Sequence, residues 1–427
     1  MEGFLVVFAF VFLFVLGFPV VLAIAAPCIV YLLVNGLPVD LIAQRTLYAL
    51  DSFPLVAVPV FLFVGSLMNS AGISKYIYKF ADTATGRLPG GLAQVNIFGS
   101  LIFAGMSGSA LADIGGIGRI EIDAMRSKGF NPAFAGAVTA SSALVGPIFP
   151  PSIPLIIYGT VTGVSVIQLL LGGILPGLLC VAMLMLMTGW LAVRRKYPRA
   201  ARWPTIGELW RDFWPAFPAI MAPVILIIGM LAGFFTPTEI ASVTVAYALL
   251  ISALFYRELT WQGLISAAFE TIRASAGILL IVAVAALFGW ILSVEQVPQT
   301  LTGWMLSIST NPAVLLLLVN ILLLIVGMFL DSTTAILVVA PIIAKPLIAA
   351  GVDPVHLGMV VVFNLMIGLL TPPMGLALFL VADIAKVTMK DILREMAPFY
   401  IPLGITLLLI TYFPAITTWI PQMALSP

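Results

Sequence analysis

The sequence is poor in charge. Only 9% of its 427 residues are Asp, Glu, Lys or Arg, where a soluble domain carries roughly 25%. It has one histidine, His356, and two cysteines, Cys28 and Cys180, set far apart in apolar stretches. A lone histidine excludes a Cys/His metal centre, and the cysteines read as small buried hydrophobes. The scattered carboxylates provide no convergent acid/base set for a membrane-embedded enzyme. A net charge of +1 leaves no electrostatic case for binding nucleic acid. No G-x-x-x-x-G-K-[ST] phosphate loop is present, so nucleotide-driven chemistry has no motif to rest on.

What the chain has instead is apolar surface, at 62% of residues. No soluble fold hides that much, so the natural unit is a membrane-spanning segment of roughly 20 residues. Nine blocks read as full crossings: 4–34, 53–71, 133–165, 169–193, 217–235, 240–256, 263–294, 356–384 and 400–420. The first is too long for a cleavable signal and has no basic segment before it. Two further blocks, 92–128 and 313–350, carry polar or Gly-rich residues midway. They read as re-entrant helical hairpins, because non-helical backbone at that depth must be buried in protein or line a wet cavity.

Basic residues set the orientation. The strongest cluster, Arg194, Arg195, Lys196, Arg199, Arg202 and Arg211, marks a cytoplasmic loop. Counting outward also places Lys75/Lys79/Arg87, Arg126/Lys128, Arg257 and Lys386/Lys390/Arg394 inside. Loops on the other side hold only Arg45. This count predicts a cytoplasmic N-terminus and a periplasmic C-terminus at Pro427.

The interrupted blocks and the crossings after them repeat at an offset of 222 residues. Gly105-Met106 matches Gly327-Met328, and Gly129, Pro132 and Gly136 match Gly351, Pro354 and Gly358. Gly146, Pro150 and Pro151 match Gly368, Pro372 and Pro373. The copies start on opposite sides of the membrane, which makes them inverted repeats. Inverted repeats with broken helices are a recurring plan of secondary transporters. The fold expected is an all-α polytopic membrane protein with two re-entrant hairpins and broken helices.

Each copy has two breaks. Proline removes a donor and glycine lets the backbone turn, so carbonyl oxygens are freed beside Ser and Thr hydroxyls. Neutral oxygens at half-helix ends suit Na⁺ and an anionic substrate group. Na⁺ is expected at Ser107, Ser109, Gly146 and Pro150 in the first copy, and at Gly327, Asp331, Thr334, Gly368 and Thr371 in the second. Substrate contacts are expected from Ser142, Ser152, Asn364 and Pro373. Ser142 and Asn364 hold equivalent positions and read equally as helix bridges. Asp331 reads as an ion ligand or a half-helix cap, and Asp113 as a functional carboxylate or a helix-end partner. Arg119 and Asp123 have the spacing of a local ion pair, with a substrate carboxylate as the other partner for Arg119. Glu239 and His356 read as structural residues near helix starts.

These motifs resemble the large, M-type membrane subunit of tripartite ATP-independent periplasmic (TRAP) transporters. The stretches that carry the resemblance are Gly86–Ala93, Val95-Asn96, Phe103–Asp113, Gly146–Gly159, Thr236–Glu239 and Asn364–Gly375. Gly118–Ala124 is more charged than the family's usual version. The resemblance implies an elevator-type transporter of the bacterial inner membrane. Segments 1–85, 169–305 (with the basic loop 194–211) and 386–427 would be scaffold. Segments 86–168 (hairpin 92–128, broken helix 133–165) and 306–385 (hairpin 313–350, broken helix 356–384) would form the mobile transport domain. It further implies Na⁺-driven uptake of an organic acid, with no cofactor beyond that coupling ion. The implied partners are a small four-helix, Q-type membrane subunit, a periplasmic P-type binding protein and membrane lipid. The sequence begins at the large subunit's first helix, so the small subunit is expected as a separate polypeptide. A stand-alone sodium–dicarboxylate symporter of related architecture is the alternative.

Overall fold

The computed structural model describes residues 2–233 and 235–425, and no strand occurs among them. Pro427, on which the periplasmic C-terminus was placed, lies outside the described residues. The chain opens with α1 (Glu2–Val15), α2 (Val20–Val34), α3 (Asp40–Leu50), α4 (Ala57–Ser70) and the amphipathic α5 (Ser74–Thr85). The first hairpin comprises α6 (Leu92–Ser107), α7 (Ala110–Asp113), a π-helical turn over Ile114–Gly118, and α8 (Arg119–Ser127). The first broken helix is α9 (Pro132–Ala143) with α10 (Ile153–Thr162). Next come α11 (Val166–Gly172), α12 (Ile174–Arg195), α13 (Ile206–Leu231), α14 (Pro237–Leu250), α15 (Trp261–Val294) and α16 (Val297–Ile308). The second hairpin is α17 (Pro312–Phe329) with α18 (Ser332–Ala349), and the second broken helix α19 (Pro354–Gly368) with α20 (Leu376–Ala385). The chain continues through α21 (Met389–Met396), α22 (Tyr400–Tyr412) and α23 (Ala415–Leu425). Eight helical stretches among the described residues are long and apolar enough to cross a membrane.

Local chemistry sets the helix starts. Asn131 and Asp353, equivalent in the repeat, each precede a proline and cap α9 and α19. Asn131 Oδ1 accepts from the Ala133 N–H at 2.8 Å, and Asp353 Oδ1 from the N–H groups of Val355 and His356 at 2.9 Å. Proline at the first helical position loses only a donor that has no partner there. Glu239 closes a capping box, accepting from the Thr236 N–H at 2.7 Å. His356 is buried, with Nδ1 3.0 Å from Thr417 Oγ1 and Nε2 3.2 Å from the Thr411 carbonyl, so it ties α19 to the end of the chain. Cys28 and Cys180 are both fully buried.

Polar contacts sort the loops onto two faces. Lys75 bonds to Glu258, Lys79 to Asp212 at 2.9 Å, Arg195 to Glu395, and the Ala200 N–H to the Gly86 carbonyl at 2.9 Å. The Lys75 ammonium holds the Glu258 carboxyl below its ordinary range. These bonds gather the basic loops on one face. On the other, Thr238 Oγ1 donates to the Phe53 carbonyl at 2.9 Å, and Tyr31 donates to Glu295 at 2.9 Å.

The two copies are inverted and interlocked. Gly136, near the start of α9, packs on Val381 and Ala385 near the end of α20. Its equivalent Gly358, near the start of α19, packs on Tyr158 of α10 and Leu169 of α11. Each broken helix therefore begins where the other ends, so the two run antiparallel. The second half of each also crosses to the other copy: α10 packs on α18, and α20 on α7 and α8.

Several expectations need correction. Block 4–34 is not one crossing. It turns at Gly17-Phe18-Pro19, where Gly17 has a φ of 88°, and α1 and α2 pack together as a hairpin. Asn35 Nδ2 donates to Glu2 Oε2 at 2.9 Å, and the Gly3 N–H to Glu295 Oε2 at 3.2 Å. The N-terminus thus shares a face with residue 35 and opposes the basic face, against the cytoplasmic placement. The crossing expected at 217–235 begins at Ile206, so Arg211 sits in α13 rather than in a loop. Block 400–420 divides at Phe413-Pro414 into α22 and α23.

Candidate functional site

In both copies the hairpin tip meets the break in the helix that follows. Gly108 turns the first tip with a φ of 63°, and a β-carbon there would come within 2.6 Å of the Pro151 carbonyl oxygen. Only glycine fits both the conformation and the contact. In the second copy Gly327 packs on Gly368, and the Met374 N–H donates to the Met328 carbonyl at 3.2 Å. The expected groups Ser107, Ser109, Gly146 and Pro150 thus belong to one tip-and-break assembly, and Gly327, Gly368 and Thr371 to another. Both diprolines, Pro150-Pro151 and Pro372-Pro373, have a cis bond between their rings.

The first assembly centres on Asp113, a residue the sequence left between two readings. Ser107 Oγ donates to Asp113 Oδ1, and the Ser109 N–H donates to Ser107 Oγ at 3.3 Å. Asp113 is 1% exposed, and its second oxygen, Oδ2, is buried with no hydrogen-bond partner. That oxygen points at Gly146, where a β-carbon would stand 2.6 Å from it. An unpartnered carboxylate oxygen among apolar helices is costly unless a cation or proton joins it. The donor set at Asp113 therefore fits a small cation: a carboxylate, the Ser107 hydroxyl and the backbone freed around Gly146, whereas the Ser109 hydroxyl caps α7 at the Ala112 N–H. The π-helical turn directly after Asp113 is a feature that recurs at functional sites.

The second assembly has different chemistry. Asp331 caps α18: Oδ2 accepts from the Thr334 N–H at 3.1 Å, and Oδ1 accepts from the Thr334 hydroxyl. Asp331 is half-buried and Thr334 fully buried. The Thr371 hydroxyl donates to the Ile367 carbonyl at 2.8 Å, and Tyr400 donates to the Leu370 carbonyl.

Ser142 and Asn364 take the bridging role. Ser142 Oγ donates to Asn96 Oδ1 at 2.7 Å and accepts from Ser100 Oγ at 3.0 Å. Asn364 Nδ2 donates to Asn320 Oδ1 at 2.7 Å, and Asn320 Nδ2 to Thr411 Oγ1 at 3.0 Å. Each ties a broken helix to the first limb of its own hairpin, at repeat-equivalent places. Both are fully buried, and only Asn364 Oδ1 still lacks a partner. Ser152 caps α10 through the Leu155 N–H at 3.2 Å and donates to the Pro147 carbonyl, while Pro373 is exposed. Asp123 pairs with Arg126 at 3.8 Å rather than with Arg119, which is exposed.

The comparisons with known proteins agree with this architecture. Residues 4–416 match the family described as "Tripartite ATP-independent periplasmic transporter, DctM component". The chain is 42% identical over 423 residues to the sialic acid TRAP transporter large permease protein SiaM of Vibrio cholerae, covering 98% of each. It is 32% identical over 372 residues to the C4-dicarboxylate TRAP transporter large permease protein DctM of Pseudomonas aeruginosa, covering 87% of each. Among solved structures it is similar to the YdaH transporter of Alcanivorax borkumensis, with a TM-score of 0.61 over 88% of each chain. At 16% identity that likeness concerns the fold alone.

Proposed function

The chain belongs to the DctM component family of tripartite ATP-independent periplasmic transporters, and from that premise we propose that it carries an organic acid into the cell, driven by Na⁺. It is a multi-pass inner-membrane transport protein and not an enzyme. Relatives named for sialic acid, 2,3-diketo-L-gulonate and C4-dicarboxylates are named for carboxylates, and one named for isethionate is named for a sulfonate. The cargo proposed here is likewise a carboxylate-bearing acid, delivered by a periplasmic binding protein and moved with a small membrane subunit. The basic face would lie in the cytoplasm. The interlocked repeats, 86–168 and 306–385, would move as one body against the remaining helices.

The observation that carries the ion coupling is the buried, unpartnered Oδ2 of Asp113 between Ser107 and Gly146. Na⁺ arriving there would satisfy that oxygen and fix the first hairpin tip against its break. The second assembly, with Asp331, Thr334 and Thr371, would hold a second Na⁺. Reconstitution with the small subunit and the binding protein tests this reading. Uptake of radiolabelled sialic acid, or of succinate, should require an inward Na⁺ gradient, and this chain alone should transport little. Uptake driven by a proton gradient without Na⁺ overturns the ion assignment. Robust Na⁺-driven uptake by this chain alone favours the stand-alone symporter.

A further inference from the structure

A cavity of about 570 Å³ lies on the face opposite the basic loops. The end of α10, the outer part of α15, α18 and the turn after α3 enclose it. Its polar lining includes Lys345, Thr160, Thr162, Ser293 and Ser52, with the aromatic walls Trp290 and Tyr48. It runs along α15 from Val282 to Ser293, roughly 16 Å at the helical rise. Its inner end reaches Leu337, roughly 9 Å along α18 from the hairpin tip at Asp331. The cavity therefore leads from the outer face toward the second assembly.

Charge marks it out. That face carries the acids Glu2, Asp40, Asp51, Glu239, Glu295 and Asp353. Its cations among the described residues are Arg45 and Lys345. Lys345 stands in this cavity, and Arg45 stands against its Trp290 wall. Lys345 lines it, exposed and with no ion pair or hydrogen bond among the described residues. Arg45 lies over the ring of Trp290, 4.9 Å from its centroid. One acid, Asp51, shares the lining. The repeat partner of Lys345 is Asp123 on the basic face, so the charge here is not inherited from the fold's symmetry. An organic anion nearing this acidic face meets attraction only where the two cations gather, and a low-dielectric cleft focuses that field.

We propose that this cavity is an anion-selective vestibule, in which Lys345, assisted by Arg45, receives the carboxylate of the arriving acid before it reaches the hairpin tips. The hydroxyls of Thr160, Thr162 and Ser293 donate to the carbonyls of Ile156, Tyr158 and Gly289 and keep lone pairs that can accept from the hydroxyls of a polyhydroxylated acid, while the face of Trp290 covers the apolar side of its carbon chain. The inference rests on the transport reading above for the direction of travel.

Thiol chemistry tests it independently of uptake. Cys28 and Cys180 are fully buried, so Thr162→Cys adds the one accessible thiol among the described residues. Two methanethiosulfonates of similar size, one a sulfonate and one a trimethylammonium, then report the local potential as a ratio of rates, each normalised to a free thiol. The sulfonate should react several-fold faster, and Lys345→Gln should reduce that ratio about threefold, with Arg45→Gln acting the same way less strongly. A ratio near one, or a ratio unchanged by both substitutions, overturns the proposal. In the reconstituted three-part system, Lys345→Gln should slow uptake several-fold at sub-saturating liganded binding protein and spare the maximal rate, with Lys345→Arg restoring it. Wild-type uptake unaffected by Lys345→Gln also overturns the proposal. A wild-type system that takes up no acid strikes the transport reading instead and leaves the reagent ratio standing.

Discussion

Gly368 rests so closely on Gly327 that a β-carbon at position 368 would come within 2.5 Å of the Gly327 carbonyl carbon. The converse is looser: a β-carbon at 327 would meet the Gly368 α-carbon at 3.1 Å. Backbone cannot swing aside as a side chain can. Gly368→Ala should therefore destabilise by about 3 kcal/mol, the upper end for overpacking, and Gly327→Ala by about 1 kcal/mol. Thermal unfolding in detergent would measure both. Equal, negligible losses would mean that the second hairpin does not seat on its break as described.

Asp113 and Ser107 carry the second prediction. Asp113→Asn keeps the shape but removes the charge that a bound cation would meet. The Na⁺ concentration for half-maximal uptake should rise at least about tenfold, since hydrogen bonds and contacts to charged groups are worth about 1.5–3 kcal/mol. Ser107→Ala should raise it only several-fold, as a neutral hydroxyl contributes about 1 kcal/mol. Size-exclusion profiles matching wild type would show that both variants fold. Unchanged Na⁺ dependence in a folded Asp113→Asn protein would remove this residue from the ion site.

The cap and ion roles of Asp331 can be separated. Asparagine caps helices as well as aspartate, whereas alanine loses about 1 kcal/mol. Asp331→Asn should keep the wild-type melting temperature yet raise the Na⁺ requirement, while Asp331→Ala should lower both stability and ion affinity. An Asp331→Asn protein with wild-type Na⁺ dependence would leave Asp331 as a cap alone.

Much of this was legible in the chain, for physical reasons that differ by region. The register of Gly105, Pro132, Gly146 and Pro150 with Gly327, Pro354, Gly368 and Pro372 exposed the repeat, because such breaks tolerate few other residues. What those glycines touch was not legible. Gly368 meets Gly327, whereas Gly105 meets Pro223 and Gly146 meets Asp113. Symmetry of sequence therefore hides an asymmetry of site, since Asp113 matches Ala335 in the second copy. The bridges at Ser142 and Asn364 depend on partners more than forty residues away, which periodicity does not reveal. The turn within the first block does not show in hydropathy, because thirty apolar residues have the same hydropathy as one long helix or two short ones. Gly17-Phe18-Pro19 was the available signal, a residue free to take positive φ just before one that cannot continue a helix.

The turn at Gly17-Phe18-Pro19 decides on which side the N-terminus lies. Three polar contacts hold the ends of α1 and α2 together: Asn35 to Glu2 at 2.9 Å, the Gly3 N–H to Glu295 at 3.2 Å, and Tyr31 to Glu295 at 2.9 Å. Glu295 follows the far end of α15, whose first residue, Trp261, lies near the Lys75–Glu258 bond of the basic face. The N-terminus and residue 35 must then lie across the membrane from residue 200. A reporter active only in the periplasm should work when fused ahead of Glu2 and fail at position 200. Tyr31→Phe should weaken the hairpin by about 1 kcal/mol, the worth of one hydrogen bond, without reversing it. Glu295→Ala removes the acceptor shared by Gly3 and Tyr31 and should loosen it further, read as faster labelling of a cysteine placed at Phe10, now 3% exposed against Phe288. A silent N-terminal reporter beside an equally silent one at position 200 would put both on the cytoplasmic side, and α1 with α2 would then have to cross as a single span.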